Sequence, residues 1–320
     1  MPSLCQTLQK EYVELEKLQQ EFAAALDVAV KTNETAKIKE LQKTITEKLN
    51  SLKEKIIPQE AKATFIHPET NEKKEISFNL QEKIQAWQAF YQKHNLPKLN
   101  EKEIQAIWQK NYKEIQKEME KYGYDEILIM SGDLPDTATL NQTLIESIPN
   151  TNATYQSSNF TSGGGFTGAK HTEQGKTRII LCHSDQNIYK NPTANFFAQQ
   201  TLNKNILQLS GLDQAEIDRR LQNQENIPVN FETEINGQKI LVQAEGLSLN
   251  EYLIFQRQYF EKTNQHLDEK GWTWLPKTFS ASRVVNSGWN PDGARLGVYA
   301  YDPGDSGGDL GCRLSRSFSN

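Results

Sequence analysis

Cysteine is scarce in this chain. Its three thiols, Cys5, Cys182 and Cys312, are an odd number, widely separated and without a Cys-x-x-Cys pair. That argues against a disulfide framework and against a thiolate zinc site. Long apolar runs are missing too: no stretch approaches the roughly eighteen residues of a membrane-spanning helix. The opening residues hold no basic segment followed by an apolar run, so no signal peptide is expected. Nor is there an excess of positive charge. With 36 Lys and Arg against 41 Asp and Glu, the formal net charge is -5, which gives nucleic acid no long-range attraction. The default expectation is a cytoplasmic protein with no nucleic-acid partner and no membrane span, display or secretion by another route being left open. At 320 residues the chain is able to bury a sizeable core, and more than one unit is expected.

Two parts are expected, 1–123 and 124–320. In the first, Leu8, Leu15, Phe22 and Ala29 recur every seven residues, and Ile38, Leu41, Ile45, Leu49, Leu52 and Ile56 recur at spacings of three and four. Such seams predict two helices folded into an antiparallel hairpin over 3–57, with Pro58 ending the second. Thr64–His67 and Lys74–Phe78 flank the turn Pro68–Asn71 and predict a small β-hairpin. Further helices are predicted over 80–93 and 101–122. Their stripes Leu80, Ile84, Trp87, Phe90, Tyr91 and Ile104, Ile107, Trp108, Ile115, Met119, Tyr122 have helical spacing, which places the aromatics in a core rather than under nucleobases. Scaffold, spacer and homo-oligomerisation device are equally compatible roles for this α-helical module.

In the second part, strands are predicted near 124–130, 177–182 and 240–243, and short helices near 137–148, 196–207 and 215–221. A Gly/Ser/Asn-rich tract over 150–168 reads as a loop. Ser248 with Glu251 three residues on is a capping box. It opens a helix whose apolar face, Leu249, Tyr252, Leu253, Phe255, Tyr259 and Phe260, is expected to pack beneath the tail. In that tail, tryptophan, leucine and valine anchors alternate with small polar and tyrosine positions. From Ser280 to Asp309, sixteen of thirty residues are Gly, Ser, Asn or Asp. A stiff frame carrying an adaptable surface has this composition, which favours binding over chemistry.

Three patterns imitate catalytic or metal sites. Gly304-Asp305-Ser306-Gly307-Gly308 spells the nucleophile segment of trypsin-like proteases, yet none of the five histidines has the context of a general base. Cys182-His183-Ser184-Asp185 lists catalytic residue types, but neighbours on a strand point to opposite faces. Asp292, Asp302, Asp305 and Asp309 offer hard oxygen ligands for calcium, at spacings unlike a calcium-binding helical loop. No enzyme activity and no cofactor are expected.

The tail resembles the variable proteins diversified by diversity-generating retroelements, of the kind found in candidate-phylum bacteria. The resemblance is carried by Gly246-Leu-Ser-Leu-Asn-Glu-Tyr252, His266-Leu-Asp268, Trp272-Thr-Trp-Leu-Pro276, Ser282-Arg283, Trp289, Asp292-Gly293, Arg295-Leu296 and Leu310-Gly-Cys-Arg-Leu-Ser-Arg-Ser-Phe318. It is dense over about 240–320, looser over 124–240, and does not reach the helical N-terminus. It implies an α+β chain with a C-terminal C-type-lectin-like domain of the formylglycine-generating-enzyme subtype. It further implies a variable region of about 280–309 whose ligand is a macromolecule, in the first place a protein. The resemblance assigns diversified, ligand-facing positions to Ser282, Asn286, Gly288, Asn290, Tyr299, Tyr301, Asp305, Gly308 and Asp309, with Trp289 adding contact area. Trp272, Trp274, Leu296, Leu310, Cys312 and Arg313 are then scaffold, with Trp289 and Val298 also serving the frame. The period-two spacings 286/288/290 and 299/301 set those positions on one face of extended segments. The alternatives are a structural protein assembled through the N-terminal helices and an oxidoreductase related to formylglycine-generating enzyme. The oxidoreductase would need a second cysteine near Cys312, and the sequence has none there.

Overall fold

A computed structural model describes residues 58–156, 176–188 and 195–320, together with Val13, Lys17, 20–26, 39–40, 42–44 and 46–47. The chain divides into two units, Met1–Pro58 and Gln59–Asn320. In the first, the described residues 13, 17, 20–26, 39–40, 42–44 and 46–47 are helical. Leu8, Leu15, Ala29 and the seam from Ile38 to Ile56 lie outside the described residues, and so does the pairing of the two helices.

The second unit begins at Gln59, so the boundary expected at 123 is misplaced. Its first elements are the hairpin β1 (Glu60–Ile66) and β2 (Lys73–Asn79), then α1 (Leu80–Lys93) and α2 (Glu101–Tyr122). Asn79 and Asn100 cap the two helices through Glu82 N and Glu103 N at 3.1 and 3.3 Å, and Gly123 ends α2 at φ 72. The first of these helices, α1, is fastened to the sheet that follows. Trp87 Nε1 donates to Ile127 O at 2.9 Å and Tyr91 OH to Ile129 O at 3.0 Å. A buried indole or phenol needs a partner for its polar end. Here β3 (Glu126–Met130) supplies it, which makes α1 part of the same unit as that strand.

Beyond β3 come α3 (Thr137–Asn141), which runs into a π-helical turn, and the two-residue β4 (Tyr155–Gln156). The next strand, β5 (Arg178–Cys182), is flanked by β3 and a later strand. The helix expected over 196–207 is two short ones, α4 (Phe196–Gln199) and α5 (Ile206–Ser210), followed by α6 (Gln214–Gln222). A hairpin of β6 (Val229–Ile235) and β7 (Gln238–Ala244) turns at Asn236-Gly237, both at positive φ, the residue pair that suits a two-residue turn. Helix α7 (Leu249–Thr263) opens with the expected capping box. Ser248 Oγ accepts from Glu251 N at 3.3 Å, and Glu251 Oε2 accepts from Ser248 N at 2.7 Å.

The tail builds β8 (Trp272–Ser280), β9 (Arg283–Asn290), β10 (Arg295–Tyr301), β11 (Leu310–Cys312) and β12 (Ser315–Phe318). One five-stranded sheet has the order β11-β8-β9-β10-β4, with β11 parallel to β8 and β4 parallel to β10. A three-stranded antiparallel sheet has the order β12-β5-β3. The architecture is mixed α and β. Among the described residues no helix is long and apolar enough to cross a membrane.

Two buried ionic clusters tie the tail to the rest. Arg313 is bidentate on Asp268 at 2.9 and 2.9 Å, both side chains 1% exposed, and also donates to Gln186 O at 2.7 Å. Lys277 meets Glu245 at 2.7 Å and Glu251 at 3.8 Å, while Arg178 closes on Glu251 from the other side. Glu251 therefore caps α7 and anchors two cations.

Candidate functional site

Cross-strand register assigns the faces of the tail sheet. Trp274, Asn286 and Tyr299 are aligned, as are Gly288 with Gly297 and Val284 with Tyr301. Paired residues project to one side. The opposite side carries Leu275, Val285 and Ala300, then Ser287 and Val298, then Trp289 and Leu296, and it is core. Thus 286, 288 and 290 do share a face with 299 and 301, as their spacing predicts. Trp272 and Trp274 project from that same face, and their rings decide which positions reach solvent.

Three of the expected surface positions are interior. Gly288 is buried, because the Trp272 indole lies across it and its cross-strand partner Gly297. A Cβ at Gly288 would stand 2.5 Å from Gly271 O and 3.1 Å from the indole. Asn286, 0% exposed, lies in the row between Trp274 and Tyr299, and neither atom of its amide has a hydrogen-bond partner. Trp289, 6% exposed, faces the core and stacks on His266 with centroids 3.4 Å apart. Asn290 is half-buried and closes the β9–β10 turn by accepting from Gly293 N at 3.0 Å.

Ser282, Tyr301, Asp305, Gly308 and Asp309 are exposed and Tyr299 is half-exposed. Of the expected scaffold residues, Trp274, Leu296, Leu310, Cys312 and Arg313 are buried, but Trp272 is half-exposed. Gly288→Ser should therefore cost about 1–3 kcal/mol through overpacking. Gly308→Ser, whose Cβ meets only Asn203 Oδ1 at 3.5 Å, should stay within about 0.5 kcal/mol. Denaturant midpoints of the two variants measure this difference.

The open part of the face is an aromatic strip. Tyr155 sits 5.5 Å from Tyr299, Tyr299 4.9 Å from Trp272 and 6.3 Å from Tyr301. Arg295 lies over the Tyr155 ring at 4.8 Å. At the other end, Trp272, Tyr301, Asp305, Ser306, Gly307, Asp309 and Leu310 line a concavity of about 440 Å³. Burial first, then the Asp309 and Asp305 carboxylates, hold the Tyr301 phenol above its usual pKa. The loop that carries these aspartates is pinned from outside. Ile206 N donates to Pro303 O at 3.0 Å, Asn203 N to Leu310 O at 3.0 Å and Asn205 Nδ2 to Gly304 O at 3.2 Å. Arg283 pairs with Asp302 at 3.0 Å. Sequence patterning missed Tyr155 as a member of this strip, since a two-residue parallel strand leaves no periodic signal, and named Arg295 only within the family motif.

The catalytic imitations do not assemble. Ser306 is exposed in the concavity, and no histidine lines it. Burial pushes the Cys312 thiol up to about 12, so it is not a thiolate at neutral pH. Among the described residues no group of three or more His, Cys, Asp or Glu side chains converges to hold a metal. A second cavity, about 360 Å³, is bordered by His67, Lys74, Asp125, His183 and Asp185. There Ser184 Oγ donates to the Asp125 carboxylate at 2.9 Å rather than to an imidazole, so no activated nucleophile results.

Buried histidines make stability depend on pH, His94 among them. Burial lowers His183 to about 4 and His266 to about 4. His266 is held between Phe260 and Trp289, and its Nδ1 lies 3.0 Å from the Gln256 amide nitrogen. Gln256 is oriented by accepting from Leu267 N at 2.8 Å, so its amide donates and Nδ1 must accept. Both rings are neutral when folded. Above about pH 6.5 they are neutral in the unfolded chain as well, and their contribution is complete. Between pH 6.5 and 4 the unfolded chain takes up protons that the folded one refuses, and stability falls, by up to ~3 kcal/mol for His183 and by less for the half-exposed His266. Asp185 and Glu118, raised by burial, pull the other way. Denaturation midpoints at pH 7 and 4.5 should show the loss, and His266→Gln should flatten the slope.

Comparison with protein-family models, with curated proteins and with solved structures finds no match to this chain.

Proposed function

We propose that the unit ending at residue 320 is a binding domain of the C-type-lectin-like type, and that residues 282–309 with Trp272 present its recognition surface. In this reading Ser282, Tyr299, Tyr301, Asp305, Gly308 and Asp309 are positions that tolerate diversification, as in retroelement-diversified variable proteins. Asn286, Gly288 and Trp289 are part of the frame. The observation that carries the reading is the division of one sheet: a closed core face beneath, and above it an open row of Tyr155, Tyr299, Trp272 and Tyr301 beside a pinned polar loop. Tyrosine and tryptophan give large contact area at low entropic cost, and small polar residues adapt their hydrogen bonds. The ligand is a protein.

The test is a displayed library randomised at Ser282, Tyr301, Asp305, Gly308 and Asp309 and selected against a panel of unrelated folded proteins. Recovery of specific binders, with the folded fraction of the library close to that of the parent, is the expected result. A library that unfolds, or that yields no binder to any target, contradicts it. Sequencing the DNA beside the gene gives an independent check, since the reading expects a reverse transcriptase and a near-copy of the 3′ end differing at adenines.

A further inference from the structure

The acidic end of the aromatic strip has charge to spare. Among the described residues neither Asp305 nor Asp309 has an ion-pair partner, whereas the neighbouring Asp302 is matched by Arg283 at 3.0 Å. The cation of the strip itself, Arg295, is engaged over Tyr155. It lies six residues along β10 from Tyr301, about 20 Å away. The two aromatic side chains of the concavity, Trp272 and Tyr301, rise from rows on either side of the Asn286 row. Trp272 covers the Gly288–Gly297 pair and Tyr301 is paired with Val284. Asn286 is itself fully buried and is not among the residues that line the concavity.

We propose that this concavity receives an arginine side chain of a protein partner, an assignment that rests on the recognition-surface reading above. Each feature matches one property of a guanidinium. Its flat, weakly hydrated face stacks on indole and phenol rings. Its fork of N–H donors suits carboxylates, here Asp305 and Asp309. A lysine ammonium loses the stacking, an anion meets two carboxylates, and a neutral sugar leaves their charge unmatched.

The experiment titrates the full chain with acetyl-Gly-Arg-Gly-amide and follows the tryptophan indole resonances by NMR. Saturable shifts are expected. The citrulline analogue and the Asp305→Asn/Asp309→Asn variant should each bind at least about ten-fold more weakly. Asparagine keeps the oxygen with which Asp305 Oδ2 accepts from Asp302 N at 3.1 Å, so the loop should survive the change, and the melting temperature checks that it has. Equal binding of citrulline, full affinity in the double variant, or no saturation by roughly tens of millimolar peptide overturns the assignment. If the outward library still yields binders to targets without exposed arginine, only the arginine assignment has failed. If it yields none, the surface reading beneath it has failed too.

Discussion

Trp274→Ala should destabilise the second unit by about 3–5 kcal/mol, while Trp272→Ala, two residues away on the same face, should cost less than half as much. Trp274 is 0% exposed, donates from Nε1 to Lys204 O at 3.2 Å and meets Tyr301 edge-on at 6.2 Å. Removing its indole leaves a cavity that neighbouring backbone is unable to fill, and it orphans a carbonyl. Trp272 is half-exposed and rests on two glycines, so its loss opens the strip to water without a closed void. Its effect should appear in binding instead. Equilibrium unfolding in urea of the two variants separates these roles. Equal losses would mean that Trp272 is frame, as its place in the sequence motif implied.

A loss of similar size is expected from breaking the Arg313–Asp268 pair. Both side chains are 1% exposed, and the carboxylate also accepts from Tyr252 OH at 3.1 Å. Asp268→Ala or Arg313→Ala leaves an uncompensated buried charge, a change that costs about 3–5 kcal/mol. Replacing both partners by apolar residues of similar volume, Asp268→Leu with Arg313→Met, should recover most of that, because the desolvation of both charges disappears together. A double-mutant cycle measures the coupling. Single-variant losses that simply add in the double variant would show that the pair acts as two separate packing contacts.

Local signals in the sequence were strong where chemistry is local. The Ser248–Glu251 box, the small hairpin at 64–78 and the helical stripes of α1 and α2 each correspond to an element at the expected place. Ownership of an element was less legible. Trp87 and Tyr91 read as core aromatics, but only tertiary structure tells that the carbonyls they bond belong to β3. The strand near 240–243 was expected, but its partner β6 was not: β6 alternates polar and apolar residues, with Glu232 and Glu234 outward, and lacks the apolar run that marked β7.

On the tail sheet, period-two spacing placed 286, 288, 290, 299 and 301 on one side. It carries no information on which of them lie under a neighbour's ring. Trp272 roofs the 288–297 row, and the 286 row closes between Trp274 and Tyr299. Composition treated Gly288 as one more small polar position, although its lack of a Cβ is what lets an indole lie flat there.

Outward and inward residues of this one sheet should differ sharply in their tolerance of substitution. A single-site saturation library over 280–313, displayed and sorted for protease resistance, measures that difference directly. It should show Ser282, Tyr301, Asp305, Gly308 and Asp309 accepting nearly every residue, while Gly288, Trp289, Leu296, Gly297 and Arg313 accept few. A profile in which the first group is as restricted as the second would contradict it.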